Sequence, residues 1–284
     1  MDVQTVSRHD ANFPPRLREI PGCPVALYHL GPLPRWDRVV AIVGTRRCTA
    51  YGRRIAAQLA ADLATQGVLV LSGLAWGIDA AAHAGALAAD GRTAAILAGS
   101  PVTGFPSSNR PLYERMLTGG MAVISEYPPG NEALRWQFPA RNRLIAGIAH
   151  AVIVVEAPER SGALITAEDA ARGATEVMVV PGPADAPSFA GSHALLRDGA
   201  RLVTSAGDVL ADLGWSAQDG TRPAATQEAG DLERLYQAID SEGTSADQLA
   251  ERLKASLPEI MRELTILELK GRIVSQPGGI YGRK

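Results

Sequence analysis

The sequence predicts an α/β protein in which a doubly wound, mostly parallel sheet is followed by a small C-terminal winged-helix domain. Three observations carry this. From Val39 onward, short β-branched runs alternate with Ala-rich helical stretches, the pattern of a parallel sheet covered on both faces. Glycine-rich turns follow several of these runs, where an extended Rossmann-like sheet places its ligands. Beyond a polar, small-residue stretch, three helical patterns lead into two short β runs, which suggests a winged helix.

Taken in order, residues 1–38 are a proline-rich lead-in (Phe13-Pro14-Pro15, then Pro21 to Pro34), expected to be extended and packed on the main domain. Strands are expected at Val39 to Val43, Val68 to Leu71, Thr93 to Leu97, Met121 to Ile124, Ala151 to Val155 and Val177 to Val180. Tyr51 to Gln66 reads as a helix with Ile55, Leu59 and Leu63 on one face and Gly67 just past its end. A second helix runs from Ile78 to Ala89, with Asp79 in its first turn complementing the helix dipole. The Rossmann-like domain is thus placed at 39–213, a flexible linker at 214–230 and the winged-helix domain at 231–284. In the last, helices are expected over Leu232 to Ile239, Ser245 to Lys254 and Leu257 to Lys270, the second opened by a Ser245/Gln248 capping box. Gly271 to Val274 and Gly279 to Tyr281 supply the hairpin.

The chain has 284 residues, 46% of them apolar, with a net charge of −2, so a polyanion must be captured by a local basic rim rather than by the whole-molecule field. Cys23 and Cys48 stand in no metal or redox spacing and read as two small buried thiols in a reducing compartment. No apolar run approaches membrane-spanning length, and the expected location is the cytoplasm.

Four loops carry residues suited to an anion. After the first parallel strand comes Gly44-Thr45-Arg46-Arg47, where Gly44 permits close approach, free N–H groups at the helix start attract an anion and Arg46 can grip a phosphate bidentately. The alternative is a tight turn with solvated arginines. Ser72-Gly73-Leu74-Ala75-Trp76-Gly77 offers further backbone donors. Phe138-Pro139-Ala140-Arg141-Asn142-Arg143 sets two guanidiniums and an amide beside an aromatic, and Phe138 or Trp136 presents a face for a base, unless Phe138 is core and one arginine pairs internally. Ser161-Gly162 opens another helix with an anion-ready N-terminus. Asp79 and His83, four apart, read as a helix cap and a packed histidine rather than metal ligands. The phosphate loop of nucleoside triphosphatases and the dinucleotide fingerprint are both missing, so no cofactor is expected, and no nucleophile motif is recognisable.

In this order, Gly44-Thr45-Arg46, Ser72-Gly73-Leu74-Ala75-x-Gly77-Ile78-Asp79-x-x-Ala82-His83, Phe138-Pro139-x-Arg141-Asn142-Arg143-x-Ile145-Ala146-Gly147, Ser161-Gly162 and Val180-Pro181-Gly182 closely resemble the DNA-processing protein A family, also called DprA or Smf. The resemblance covers about residues 13 to 213. It implies a non-enzymatic factor of natural transformation that binds incoming single-stranded DNA, protects it and helps load the RecA recombinase, typically as a homodimer. By motif match, Arg46, Arg141, Asn142 and Arg143 would bind phosphates, with Ser161-Gly162 adding backbone donors; Gly44, Thr45, Ser72, Gly73 and Phe138 complete the matched loops. Members often begin with a helical domain of the sterile alpha motif type, for which the residues before Phe13 leave no room. The loop after the third strand reads Ser107-Ser108-Asn109-Arg110 where relatives tend to show Tyr-Pro and a nearby lysine, so Asn109 and Arg110 are the candidates there. Gly191-Ser192-His193 replaces a Gly-x-Asn, and no role is carried to His193.

Two rivals remain. One is a nucleoside monophosphate phosphoribohydrolase of the related lysine-decarboxylase-like type, against which stands Ala157 to Leu164, without that family's double glycine and glutamate. The other is a scaffold in which the winged helix binds protein or duplex DNA. Lys254, Arg262, Lys270 and Arg272 alternate there with Glu251, Glu259, Glu263 and Glu268, and such mixed signs disfavour a duplex.

Overall fold

A computed structural model describes residues 2–216, 235–240, 243–253, 255–269, 271–276 and 280–283. The chain divides into two compact units, Met1–Gln218 and Asp219–Lys284. Most of the expected linker, 214–230, and the start of the first winged-domain helix lie outside the described residues.

The first unit is built on a nine-stranded sheet of β1 (Gln4–Ser7), β2 (Ala26–Leu30), β3 (Val39–Val43), β4 (Leu69–Ser72), β5 (Thr93–Leu97), β6 (Ala122–Ser125), β7 (Ala151–Val154), β8 (Glu176–Val179) and β9 (Arg201–Leu202). Their spatial order is β1-β2-β6-β5-β4-β3-β7-β8-β9. From β6 to β9 all neighbours are parallel, while β1 and β2 add to the β6 edge antiparallel. The six expected strands are present within a residue or two. The lead-in differs: beyond packing Phe13 and Leu17 into the core it supplies two strands, so the sheet begins well before residue 39.

The helices that position the site are α1 (Ala50–Thr65), α2 (Ile78–Ala88), α3 (Arg110–Thr118), α4 (Gln137–Ile148) and α5 (Gly162–Arg172). Alternation along the strands divides the core. Val40, Ile42, Val68 and Val70 pack with Leu59 and Leu63 of α1, whereas Ala41, Val43, Leu69 and Leu71 pack with Leu144, Ile145 and Ile148 of α4. Gly67, at φ +74°, follows the last residues of α1 as the glycine of a helix stop. Since β3 has β4 on one side and β7 on the other, the crossovers reverse direction between β3 and β7. A doubly wound sheet opens its ligand crevice at that switch, outside the carboxyl ends of the strands.

The second unit joins β10 (Thr244–Ser245), β11 (Ile273–Gln276) and β12 (Ile280–Arg283) in the order β10-β12-β11, with helices over Ala246–Leu253 and Leu257–Leu269 and helical residues at 235–238. Leu235, Leu249, Ile260, Leu264 and Ile273 form its core. Ser245 and Gln248 make the expected reciprocal cap. These are the parts of a winged helix.

Candidate nucleic-acid interface

The loops that leave β3, β4, β5 and β7 meet at the carboxyl edge of the sheet, with the start of α4 beside them. A pocket of about 400 Å³ opens there, lined among others by Thr45, Arg46, Arg47, Phe138, Arg160 and Ser161. A second, of about 220 Å³ and more apolar, is walled by Gly73, Trp76, Phe105 and Phe138. Arg46 and Phe138 line both, and the Arg46 guanidinium lies over the Phe138 ring at 4.8 Å.

Glycine permits the close approach the β3 loop needs. A Cβ on Gly44 would meet Ile78 Cγ1 at 2.5 Å and the Glu156 carbonyl oxygen at 2.9 Å. Thr45 is latched across the switch point, its N–H donating to Glu156 O at 2.7 Å and its carbonyl accepting from Ile78 N at 3.3 Å. Arg47 N donates to Thr45 Oγ1 at 3.2 Å, which leaves both arginine side chains directed by a fixed main chain.

The helix starts do not behave alike. At α1 the buried carboxylate of Glu156 accepts from Thr49 N at 2.9 Å and from Thr49 Oγ1 at 2.8 Å, while Thr49 Oγ1 accepts from Gly52 N. At α2 the buried Asp79 accepts from Gly73 N at 3.1 Å, and burial raises its carboxyl above the usual range despite the neighbouring Arg141. Two internal carboxylates thus occupy positions where the sequence suggested donors for an external anion. The α5 start is different: Ser161 Oγ accepts from Ala163 N, and Gly162 is exposed with open space beside it.

The motif Phe-Pro-Ala-Arg-Asn-Arg also divides by role. Arg141 is buried; its Nη1 donates to Gly73 O at 2.9 Å and to Ile96 O, and its Nε to Asn142 Oδ1 at 3.2 Å. Burial lowers its pKa to about 10, so it remains charged at neutral pH. A Cβ on Gly73 would fall on that guanidinium. Arg143 Nη2 contacts both oxygens of Glu126 at 2.7 Å. Asn142 Nδ2 donates to Gly162 O at 3.2 Å and joins α4 to the α5 start.

Among the other candidates, Ser72 is buried and donates to Ile42 O, and Asn109 is buried with its amide on Leu74 O and Ala75 O. Arg110 is exposed near Glu114 and Phe105 and lines neither pocket. His83 is fully buried and bonds Thr93 Oγ1 at 2.7 Å. Among the described residues no His, Cys, Asp or Glu cluster could hold a metal ion, and no helix is long and apolar enough to cross a membrane. The cysteines are half-buried rather than buried; burial still pushes the Cys48 thiol up.

The sequence places Arg47 in the anion-suited loop after β3 without assigning it a contact, and Arg160 received no role. Both are exposed, both line the larger pocket, and no ion pair among the described residues involves either of them or Arg46. The signal was available: Arg160 lies in the loop after β7, facing the Arg46 loop across the switch point. Trp76 and Trp136, 50% and 61% exposed, add aromatic faces on the loops around the rim.

Residues 4–214 match the family model of DNA recombination-mediator protein A, and residues 219–279 match the DprA winged helix domain. The chain is 41% identical over 266 residues to the putative DNA processing protein DprA of Mycobacterium tuberculosis, covering 90% of this chain and 68% of that one. The X-ray structure of DprA from Streptococcus pneumoniae superposes with a TM-score of 0.70 at 39% identity, covering 74% of each chain. A structure described as showing the single-stranded DNA binding mode of DprA from Helicobacter pylori gives 0.67 at 27% identity, covering 75% of this chain and 96% of that one. The chain belongs to the DNA recombination-mediator protein A family, with a DNA-processing role.

Proposed function

We propose that the chain binds single-stranded DNA at this rim, with Arg46, Arg47 and Arg160 holding phosphates and the Ser161-Gly162 turn adding backbone donors. One observation carries the reading. Three exposed guanidiniums without carboxylate partners among the described residues converge on one pocket at the switch point of the sheet. Arg141, Asn142, Ser72, Gly73 and Asn109 then support the rim through hydrogen bonds within the fold, and Arg143 does so through the pair its Nη2 makes with Glu126, although its buried Nη1 has no hydrogen-bond partner among the described residues. Phe138 and the exposed indoles favour an unpaired strand, since only there are base faces open to stacking. The H. pylori relative's described single-strand binding supports the same assignment. The role is binding rather than catalysis. Protection of the strand, loading of RecA, a homodimeric state and action in the cytoplasm during transformation are the further steps that the family resemblance implies.

The test is fluorescence anisotropy of labelled oligo-dT and of a matched duplex at equal salt. Preference for the single strand is expected. Equal binding of both, or of neither, refutes the proposal.

A further inference from the structure

The turn leaving β4 carries an unfavourable backbone: Leu74 has φ +52°, in the left-handed region where a bulky side chain crowds its own carbonyl. Its side chain is fully buried, so the turn cannot relax by swinging it into water. Such a conformation persists only where the surroundings over-determine it. Here three hydrogen bonds tie the turn to the loop between β5 and α3. Asn109 Nδ2 donates to Leu74 O at 3.0 Å and to Ala75 O at 3.1 Å, and Trp76 Nε1 donates to Ser108 Oγ at 2.7 Å.

Asn109 also stands at the N-cap of α3, where an asparagine side chain ordinarily accepts from a helix N–H. It makes no such bond; its amide is turned to the strained turn instead. Asn109 is buried and lines neither pocket, whereas Gly73 and Trp76, on either side of the clamped residues, line the smaller one with Arg46 and Phe138.

We propose that Asn109 is a positioning residue of the rim: it holds the Leu74–Ala75 turn so that Gly73 and Trp76 stand beside Arg46 and Phe138, and it does not touch the strand. The proposal rests on the single-strand reading above. It predicts that Asn109 acts on the protein before any DNA arrives.

The experiment compares the wild type with Asn109→Ser and Asn109→Ala by hydrogen exchange without DNA, by thermal melting and by oligo-dT anisotropy. Serine is too short to reach both carbonyls yet is neutral and caps helices well. Asn109→Ser should therefore melt close to the wild type. Its amides at 73–77 should exchange about tenfold faster and its oligo-dT affinity should fall about tenfold, the scale of one or two lost hydrogen bonds. Asn109→Ala should show the same two changes with a lower melting temperature. Ser108→Ala, at an exposed position, removes only the Trp76 link and should give a weaker version of both changes, so the test survives if the Asn109 variants fail to fold. Weaker binding with wild-type exchange would mean that Asn109 touches DNA and would overturn the proposal; so would faster exchange with undiminished affinity. A wild-type chain that binds no oligo-dT removes the single-strand reading, and this proposal with it.

Discussion

Replacing Arg46 with alanine removes one of the three exposed guanidiniums that line the larger pocket and have no ion pair among the described residues. For a single strand, log affinity falls with log salt by about 0.7 per neutralised phosphate, so three contacts predict a slope near 2. Between 50 and 200 mM salt the wild type should lose about 20-fold in affinity, and Arg46→Ala, with two contacts left, about sevenfold. At low salt a charge-assisted hydrogen bond contributes about 1.5–3 kcal/mol, so the variant should bind roughly 10- to 150-fold more weakly. Its fold should barely change, because the exposed side chain leaves only its stack on Phe138, about 0.5–1 kcal/mol. Arg143→Ala is the control. That residue is paired with Glu126, so its loss should lower the melting temperature and leave the salt slope alone. Anisotropy titrations of labelled oligo-dT across the salt series read both quantities. A slope that flattens in Arg143→Ala and not in Arg46→Ala would refute the division of the arginines into ligands and supports.

Gly73→Ala should destabilise the first unit by about 3–5 kcal/mol, since the new methyl displaces the buried Arg141 guanidinium from the carbonyls that satisfy it; denaturant midpoints measure this. His83 supplies a pH dependence. Burial lowers its pKa from 6.5 to about 3, so the unfolded chain takes up a proton that the folded chain refuses, and stability falls as pH drops below 6.5. The loss is about 1.4 kcal/mol per pH unit, or about 2.7 kcal/mol at pH 4.5. Asp79, with its raised pKa, works in the opposite direction, so the comparison with His83→Asn isolates the histidine; parallel stability curves for the two proteins would exclude this account. A chain ending at residue 218 should keep most of its oligo-dT affinity, because the rim lies wholly in the first unit; a loss beyond about tenfold in anisotropy would place a principal contact in the winged helix.

The central strands β3 to β8 were legible because each holds an apolar run of at least three residues, most of it buried on both faces. The outer strands β1, β2 and β9 were not. Gln4–Ser7 buries only Val6 among its four residues, Ala26–Leu30 follows a proline-rich segment, and Arg201–Leu202 is two exposed residues. Their strand character comes from pairing with neighbours and not from their own composition. Within the site, the loops were legible and the division of labour only partly so. Arg141 shares a helical stripe with Leu144, Ile145 and Ile148, three, four and seven residues on, which already points it inward. The partner of Arg143 is 17 residues away, and nothing local announces it. Likewise, the start of α1 looks open to an anion in sequence, and only tertiary structure reveals that Glu156, 107 residues away from Thr49, already occupies it; Asp79, in the first turn of α2, was legible.

The internal carboxylates explain how a chain of net charge −2 can present an anion site at all. Four other arginines of the first unit lie within ion-pair distance of acidic residues: Arg110 with Glu114, Arg143 with Glu126, Arg172 with Glu168 and Asp169, and Arg201 with Glu176 and Asp212. Paired charges cancel at distances beyond about 10 Å at 0.1 M salt, so they contribute little to the field a distant strand feels. Glu156 and Asp79 neutralise two helix starts at the rim in the same way, leaving the attraction to Arg46, Arg47, Arg160 and the α5 start. Affinity built from a few short-range contacts, without a broad positive field, resides mainly in slow dissociation rather than in electrostatic steering. Reversing a charge away from the rim, as in Glu176→Lys at the start of β8, opposite the carboxyl edge, should therefore leave the dissociation constant for oligo-dT within about twofold of wild type at 0.1 M salt. A larger gain would show that the whole-molecule field, and not the three-arginine pocket, limits capture.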